Sequence, residues 1–198
     1  KVFGTSSIDA LVHAVESSLS PKATVYTKLM GYKAIEMIIT GYQKLVKEGM
    51  DKLPELMGDF LTASNMAGFA FGTAGCAAVH AMSYPLGGTY HVPHGESNYA
   101  IFTGVLNKYM EKKQDGEIAH LNAYLAELLH CDVKNVYDEL EKLLNNILPK
   151  KPLHEYGVTK EDITTFTDNV IATQGRLTAN NFVPLSREDM IDIYSKLY

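Results

Sequence analysis

Residues 6–16 read SSIDALVHAVE, a polar start followed by apolar residues at helical spacing. Serine and aspartate are favoured at helix N-caps, so this run predicts a helix that covers residues 10–16. Apolar residues recur every three or four positions through almost all of the remaining chain, which is the period of an α-helix. The sequence therefore predicts a protein that is built from helices.

Eight further helices are predicted by the same spacing together with prolines, glycines and capping residues at their ends. They cover residues 23–47, 54–71, 74–83, 96–111, 117–129, 133–148, 159–173 and 186–197. Residues 84–95 hold two prolines and three glycines, and this composition predicts a shaped loop. We find no convincing strand, repeat, βαβ unit or GxGxxG motif. We therefore expect one all-α domain over residues 1–198 that lacks a Rossmann-type nucleotide fold.

The composition excludes several classes of protein. The 198 residues include 18 Lys and Arg against 23 Asp and Glu, which gives a net charge of −5. This balance argues against binding to nucleic acid or to an anionic membrane, and no apolar run is long enough to span a bilayer. Cys76 and Cys131 form no CxxC motif, and no signal peptide is evident, so we expect a cytoplasmic protein. Because the chain starts at Lys1 and not at methionine, we expect a fragment or a processed chain.

Four side chains are candidate ligands for a metal ion. Asp9 and His13 are four residues apart, so they share one face of the first helix. His80 lies on the fourth predicted helix, and His94 lies where the loop gives way to the next helix. Three imidazoles and one carboxylate suit a divalent ion such as Fe²⁺ or Zn²⁺ and leave a position for a substrate oxygen. The spacing alone also allows a surface Asp–His pair, a core histidine and a helix cap.

Four sequence blocks carry a resemblance to a known family. Residues 9–16 (DALVHAVE), 67–71 (AGFAF), 79–87 (VHAMSYPLG) and 93–95 (PHG) resemble, in order and spacing, blocks of the iron-containing alcohol dehydrogenases. The resemblance implies that Asp9, His13, His80 and His94 hold a divalent metal, with Fe²⁺ expected and Zn²⁺ as the alternative. It also implies that this chain is the helical, metal-binding half of such an enzyme, and that an upstream α/β half binds most of the NAD(H).

One position departs from the family pattern. Many members carry a second histidine four residues after the ligand that corresponds to His80, and this chain has Tyr84 there. A phenol has a reference pKa of about 10, so it is a poorer proton acceptor at neutral pH than imidazole. We expect Tyr84, through its hydroxyl, to act as the catalytic proton carrier, with His91 or a water molecule as the alternative carrier. A packing role for Tyr84 remains the alternative.

Residues 80–99 and 148–153 most resemble the subgroup that interconverts 4-hydroxybutyrate and succinate semialdehyde. Such a substrate carries a remote carboxylate, which needs a basic partner. Of the two arginines, Arg187 lies in a predicted capping box, so Arg176 is the expected substrate contact. Lys150 is the second candidate, with Lys151 beside it. The alternatives are that Arg176 only complements a helix dipole and that Lys150 belongs to a solvated connector.

Other functions stay open on the sequence alone. Within the same family, the substrate could be a simple primary alcohol, a diol or lactaldehyde. Outside it, a metal-dependent hydrolase and a non-enzymatic helical module with structural histidines are alternatives. For the family function, we expect a small-molecule alcohol or aldehyde as partner and a homodimer or larger assembly. We also expect no NADH turnover by this chain alone.

Overall fold

The structure, a computed structural model, describes residues 1–198 as ten α-helices without a β-strand. The helices are α1 (Val2–Leu19), α2 (Val25–Glu48), α3 (Leu53–Ala74), α4 (Ala78–Tyr90), α5 (His94–Lys112), α6 (Glu117–Leu129), α7 (Val136–Ile147), α8 (Lys160–Thr173), α9 (Gly175–Thr178) and α10 (Arg187–Leu197). The all-helical prediction is confirmed. None of these helices combines the length and the apolar character that crossing a bilayer requires.

Helix α1 lies at the centre of the fold. Its residues Leu11, Val12, Ala14 and Val15 are fully buried, and the helix contacts α2, α3 and α5. Helix α5 in turn contacts α4 and α10. Buried apolar residues from these helices, from α6 to α9 and from connecting segments form one continuous cluster of 49 residues. One face of α1 meets α5 and, through Glu16, the start of α4, and these two helices carry the other predicted metal ligands.

Local capping explains where several helices begin. Thr159 and Ser186 each accept a hydrogen bond from a backbone N–H three residues on, and Asp162 and Asp189 bond back to the cap residue's N–H. These reciprocal bonds satisfy N–H groups that have no partner within the helix. The starts of both helices agree with the prediction. Helix α6 begins and ends at the predicted residues, Glu117 and Leu129.

The predicted loop over residues 84–95 is wrong, because α4 continues through Pro85 to Tyr90 and α5 already begins at His94. Pro85 has no N–H to donate to the carbonyl four residues earlier, which normally ends or kinks a helix. Near this proline, the buried Tyr194 hydroxyl donates to the carbonyl of Met82 at 2.6 Å and ties α4 to α10. The first helix also begins earlier than predicted, at Val2.

Replacing Tyr194 with phenylalanine tests this support of α4. We expect the free energy of unfolding to fall by about 1 kcal/mol, because the bond to Met82 is lost inside the core. Tyr99→Phe is the matched control, since the Tyr99 hydroxyl is buried without a hydrogen-bond partner. Urea denaturation should leave the Tyr99 variant as stable as the parent or slightly more so. Equal losses in both variants would contradict the assigned role of the Tyr194 hydroxyl.

Candidate metal centre

The structure brings the four predicted ligands together. Asp9 and His13 project from the same face of α1, His80 is the third residue of α4, and His94 is the first residue of α5. One ligand atom from each side chain lies within 4.8 Å of the corresponding atoms of the other three. Three separate helices thus supply one compact group of donors.

The distances within the cluster show that Asp9 is its hub. Its Oδ1 lies 3.6 Å from His80 Nε2 and 3.5 Å from His94 Nε2, and its Oδ2 lies 3.9 Å from His13 Nδ1. The His13 ring is stacked between the rings of Phe71 and His80, at centroid distances of 4.1 and 4.6 Å. Such stacking on both faces fixes the plane of the imidazole.

The cluster is closed on one side and open on the other. The His80 side chain is 3% exposed, Asp9 and His13 are about one-fifth exposed, and His94 is 49% exposed. The most exposed side of the cluster is therefore the side of His94. Catalytic metal sites keep a coordination position for water or substrate, and this exposed side would suit such a position.

Asn98 was missed in the sequence, although it lies one helical turn after His94 on α5. Its Nδ2 donates to Asp9 Oδ1 at 2.7 Å and lies 3.1 Å from His80 Nε2 and 3.2 Å from His94 Nε2. Ser83 Oγ lies 2.5 Å from the Asn98 Oδ1 and fixes the amide. Three acceptor atoms thus converge on one point, as a divalent ion requires. Their mixed nitrogen and oxygen chemistry fits Fe²⁺ or Zn²⁺.

The electrostatics of the cluster also suit a cation. Burial lowers the pKa of His13 to about 4, so its ring is neutral and can offer a lone pair at neutral pH. Burial raises the pKa of Asp9, but the hydrogen bond with His80 and the nearby imidazoles outweigh it and hold that pKa below its usual value. For His80, burial lowers the pKa, whereas hydrogen bonds with Asp9, Cys76 and Glu16 outweigh this and raise it to about 12. A metal ion therefore competes with a proton at His80.

The sequence matches a known family over nearly its whole length. Residues 3–198 match the profile described as Fe-containing alcohol dehydrogenase family, C-terminal. The chain belongs to the iron-containing alcohol dehydrogenases. The family resemblance that the four sequence blocks indicated is confirmed.

Individual relatives agree with this family. The 4-hydroxybutyrate dehydrogenase of Clostridium kluyveri is 51% identical over 198 residues, which are 100% of this chain and 53% of that protein. The long-chain-alcohol dehydrogenase 1 of Geobacillus thermodenitrificans is 31% identical over 100% of this chain and 50% of its own length. The archaeal alcohol dehydrogenase ADH/D1 from a Red Sea brine pool aligns with a TM-score of 0.87 over 98% of this chain and 50% of that one. Its 23% identity shows the fold alone. The chain thus spans about half the length of these relatives.

The two candidate proton carriers of this iron-containing alcohol dehydrogenase chain lie in different surroundings. The Tyr84 ring is 41% exposed and stacks beside His94 at a centroid distance of 6.1 Å, on the open side of the cluster. His91 ends α4 in a left-handed conformation, with a φ of 55°, and it is exposed. Tyr84 is therefore in contact with the cluster, whereas His91 serves as the C-cap of α4.

The two candidate substrate residues also differ. Lys150 Nζ is bound to Thr103 Oγ1 at 2.8 Å and to Glu141 Oε1 at 3.1 Å, and burial lowers its pKa. Thr103 lies nine residues beyond His94 on α5, about 13 Å along the helix, so Lys150 is not brought into the metal cluster. Its role as a substrate contact stays a prediction that this placement does not favour.

Arg176 is exposed on α9, which contacts α4. Asn180, just beyond α9, donates to the carbonyl of Cys76 at 2.9 Å. This bond holds the segment of α9 and Asn180 beside the start of α4, four residues before His80. Arg187, as predicted, opens α10 at the surface, where its guanidinium makes two hydrogen bonds with Asp168. Of the two arginines, Arg176 is thus the one whose guanidinium makes no hydrogen bond with a carboxylate of this chain.

Proposed function

We propose that this chain supplies the metal site and one wall of the substrate pocket in an NAD-linked dehydrogenase that interconverts 4-hydroxybutyrate and succinate semialdehyde. The observation that carries the proposal is that one ligand atom from each of Asp9, His13, His80 and His94 lies within 4.8 Å of the other three. The 51% identity to a 4-hydroxybutyrate dehydrogenase over the whole chain supports the substrate. The chain covers only about half the length of these relatives, which supports a second half in the whole protein. We assign the binding of the nicotinamide cofactor to that half.

The residues of this chain would each have a defined task. When bound, the ion (Fe²⁺, with Zn²⁺ as the alternative) supplies Lewis-acid polarisation of the substrate oxygen, and NAD(H) supplies the hydride chemistry. Asp9 contributes the negative charge that offsets the cation, and the neutral ring of His13 contributes a lone pair without a proton. Tyr84 passes a proton through its hydroxyl on the open side, and its ring limits the access of water there.

Arg176 is the proposed partner of the substrate carboxylate. A guanidinium matches a carboxylate with two parallel hydrogen bonds, and Arg187 already uses this geometry on Asp168. Arg176 lies on the segment that is held beside the start of α4, and it is the free one of the chain's two arginines.

The test compares succinate semialdehyde with butanal, which has the same chain length without the charge. The enzyme with both halves of the family fold is loaded with Fe²⁺ without oxygen, and NADH oxidation is followed. We expect a preference of about a hundredfold or more for succinate semialdehyde, equivalent to about 2.7 kcal/mol of transition-state discrimination. Equal rates would contradict the charged substrate and would favour a general primary-alcohol dehydrogenase, as the 31% identical long-chain relative suggests.

The arginine assignment has its own matched pair of variants. Arg176→Ala should remove most of the preference by slowing succinate semialdehyde reduction while leaving butanal reduction nearly unchanged. Arg187→Ala, which breaks an exposed ion pair with Asp168, should leave both rates as they are. An unchanged preference in the Arg176 variant would exclude this residue as the carboxylate partner.

A further inference from the structure

We propose that Glu16 is a positioning residue of the metal centre, which holds the His80 ring so that Nε2 faces the ion. Glu16 lies on α1, seven residues after Asp9 and three after His13, and it is 3% exposed. A carboxylate so deeply buried needs partners that compensate for its lost hydration. The inference rests on the proposed metal site but not on the proposed substrate.

The partners of Glu16 all belong to the start of α4. Its two carboxylate oxygens accept from the backbone N–H of Ala77 at 3.1 Å and from that of Val79 at 2.7 Å, and Oε2 lies 2.7 Å from His80 Nδ1. Ala77, the N-cap of α4, has no side chain that can cap the helix. Glu16 therefore caps α4 from another helix, and its charge is favourable at a helix N-terminus.

The same carboxylate decides which nitrogen of His80 can bind a metal. An ionised carboxylate only accepts hydrogen bonds, so the proton between the two groups belongs to His80 Nδ1. The lone pair that can coordinate an ion is then on Nε2, the atom that faces Asp9 and Asn98. A carboxylate behind a ligating histidine orients the ring and raises its basicity toward the metal. Glu16 thus holds the start of α4 and, at the same time, orients the ring of His80 on that helix.

Glu16→Gln tests the proposal because it keeps the size of the side chain but removes its charge and one of its acceptor oxygens. We expect the affinity of the chain for Zn²⁺ to fall by about 10- to 100-fold in a chelator competition. In NMR spectra of the Zn²⁺-loaded chain, the hydrogen-bonded Nδ1–H proton of His80 should exchange faster with water than in the parent. This proton signal reports the contact itself and needs no enzymatic activity.

Ser20→Ala is the matched control for a purely structural effect. The Ser20 hydroxyl, just after α1, donates to the carbonyl of Ala74 at 2.7 Å in the buried interior and touches no metal ligand. We expect Ser20→Ala to destabilise the metal-free chain while leaving Zn²⁺ affinity and the His80 signal unchanged. If Glu16→Gln behaves in the same way, Glu16 is only a helix cap and the proposal is overturned.

A second variant keeps the test decisive if the glutamine variant does not fold. Glu16→Asp keeps the charge, but its side chain is one methylene group shorter and places the carboxylate farther from His80. We therefore expect a Zn²⁺ affinity below that of the parent and faster exchange of the His80 Nδ1–H proton. Parent-like affinity in Glu16→Asp would overturn the proposal. Failure of the substrate proposal would leave all these measurements untouched, because they involve neither succinate semialdehyde nor NADH.

Discussion

We expect His80→Ala to leave the chain without tightly bound divalent metal, and the parent chain to bind one equivalent. His80 is the most buried of the four predicted ligands, and its Nε2 lies 3.6 Å from the Asp9 carboxylate that forms the hub of the cluster. Changes to residues behind a ligand already cost about 10- to 100-fold in metal affinity, so loss of the ligand itself should cost at least about 100-fold. Equilibrium dialysis against Fe²⁺ without oxygen, or against Zn²⁺, followed by elemental analysis, measures the occupancy.

Two further variants make this result specific. His94→Ala should weaken binding as well, because its Nε2 also faces Asp9, at 3.5 Å. His154→Ala should bind metal as the parent does, because His154 is exposed and lies against the C-terminal Tyr198. Full occupancy in both the His80 and the His94 variants would refute the ligand assignment and would favour structural histidines.

The helices could be predicted wherever local signals decide them. Thr159 and Ser186 cap α8 and α10 as their sequence context indicates, since capping boxes involve only residues within one turn. The end of α4 could not be predicted, because Pro85 is a helix breaker in any local assessment. The Tyr194 hydroxyl, which bonds the carbonyl of Met82 in this part of α4, is more than one hundred residues away in sequence.

The residues of the candidate site likewise fall into those that local sequence signals predict and those that depend on helix packing. Asp9 and His13 share a helix face, and the motifs around His80 and His94 indicated the remaining two donors. Glu16 and Asn98 were missed, although each lies at helical spacing from a predicted ligand. Their roles depend on which residues of α4 they meet, and only the packing of α1 and α5 against that helix determines this.

Gly95→Ala should be the most disruptive small substitution in the chain. A Cβ at this position would lie 2.0 Å from the carbonyl oxygen of Thr5 and 3.2 Å from the Cβ of Asp9. Helices α1 and α5 are thus in backbone contact where Asp9 and His94 approach each other. Because the obstacle is backbone, one helix must move away, and we expect the free energy of unfolding to fall by about 3 kcal/mol.

The same displacement should weaken metal binding, since His94 precedes Gly95 and moves with α5. Urea denaturation of the metal-free chain and Zn²⁺ competition measure the two effects separately. Gly68→Ala is the control: Gly68 lies within α3 with no atom near its added Cβ, so alanine should stabilise the helix by up to about 1 kcal/mol. If Gly95→Ala were as stable as the parent and bound Zn²⁺ equally well, α1 and α5 could not cross this closely. The four-residue cluster would then lose the helix contact on which its geometry depends.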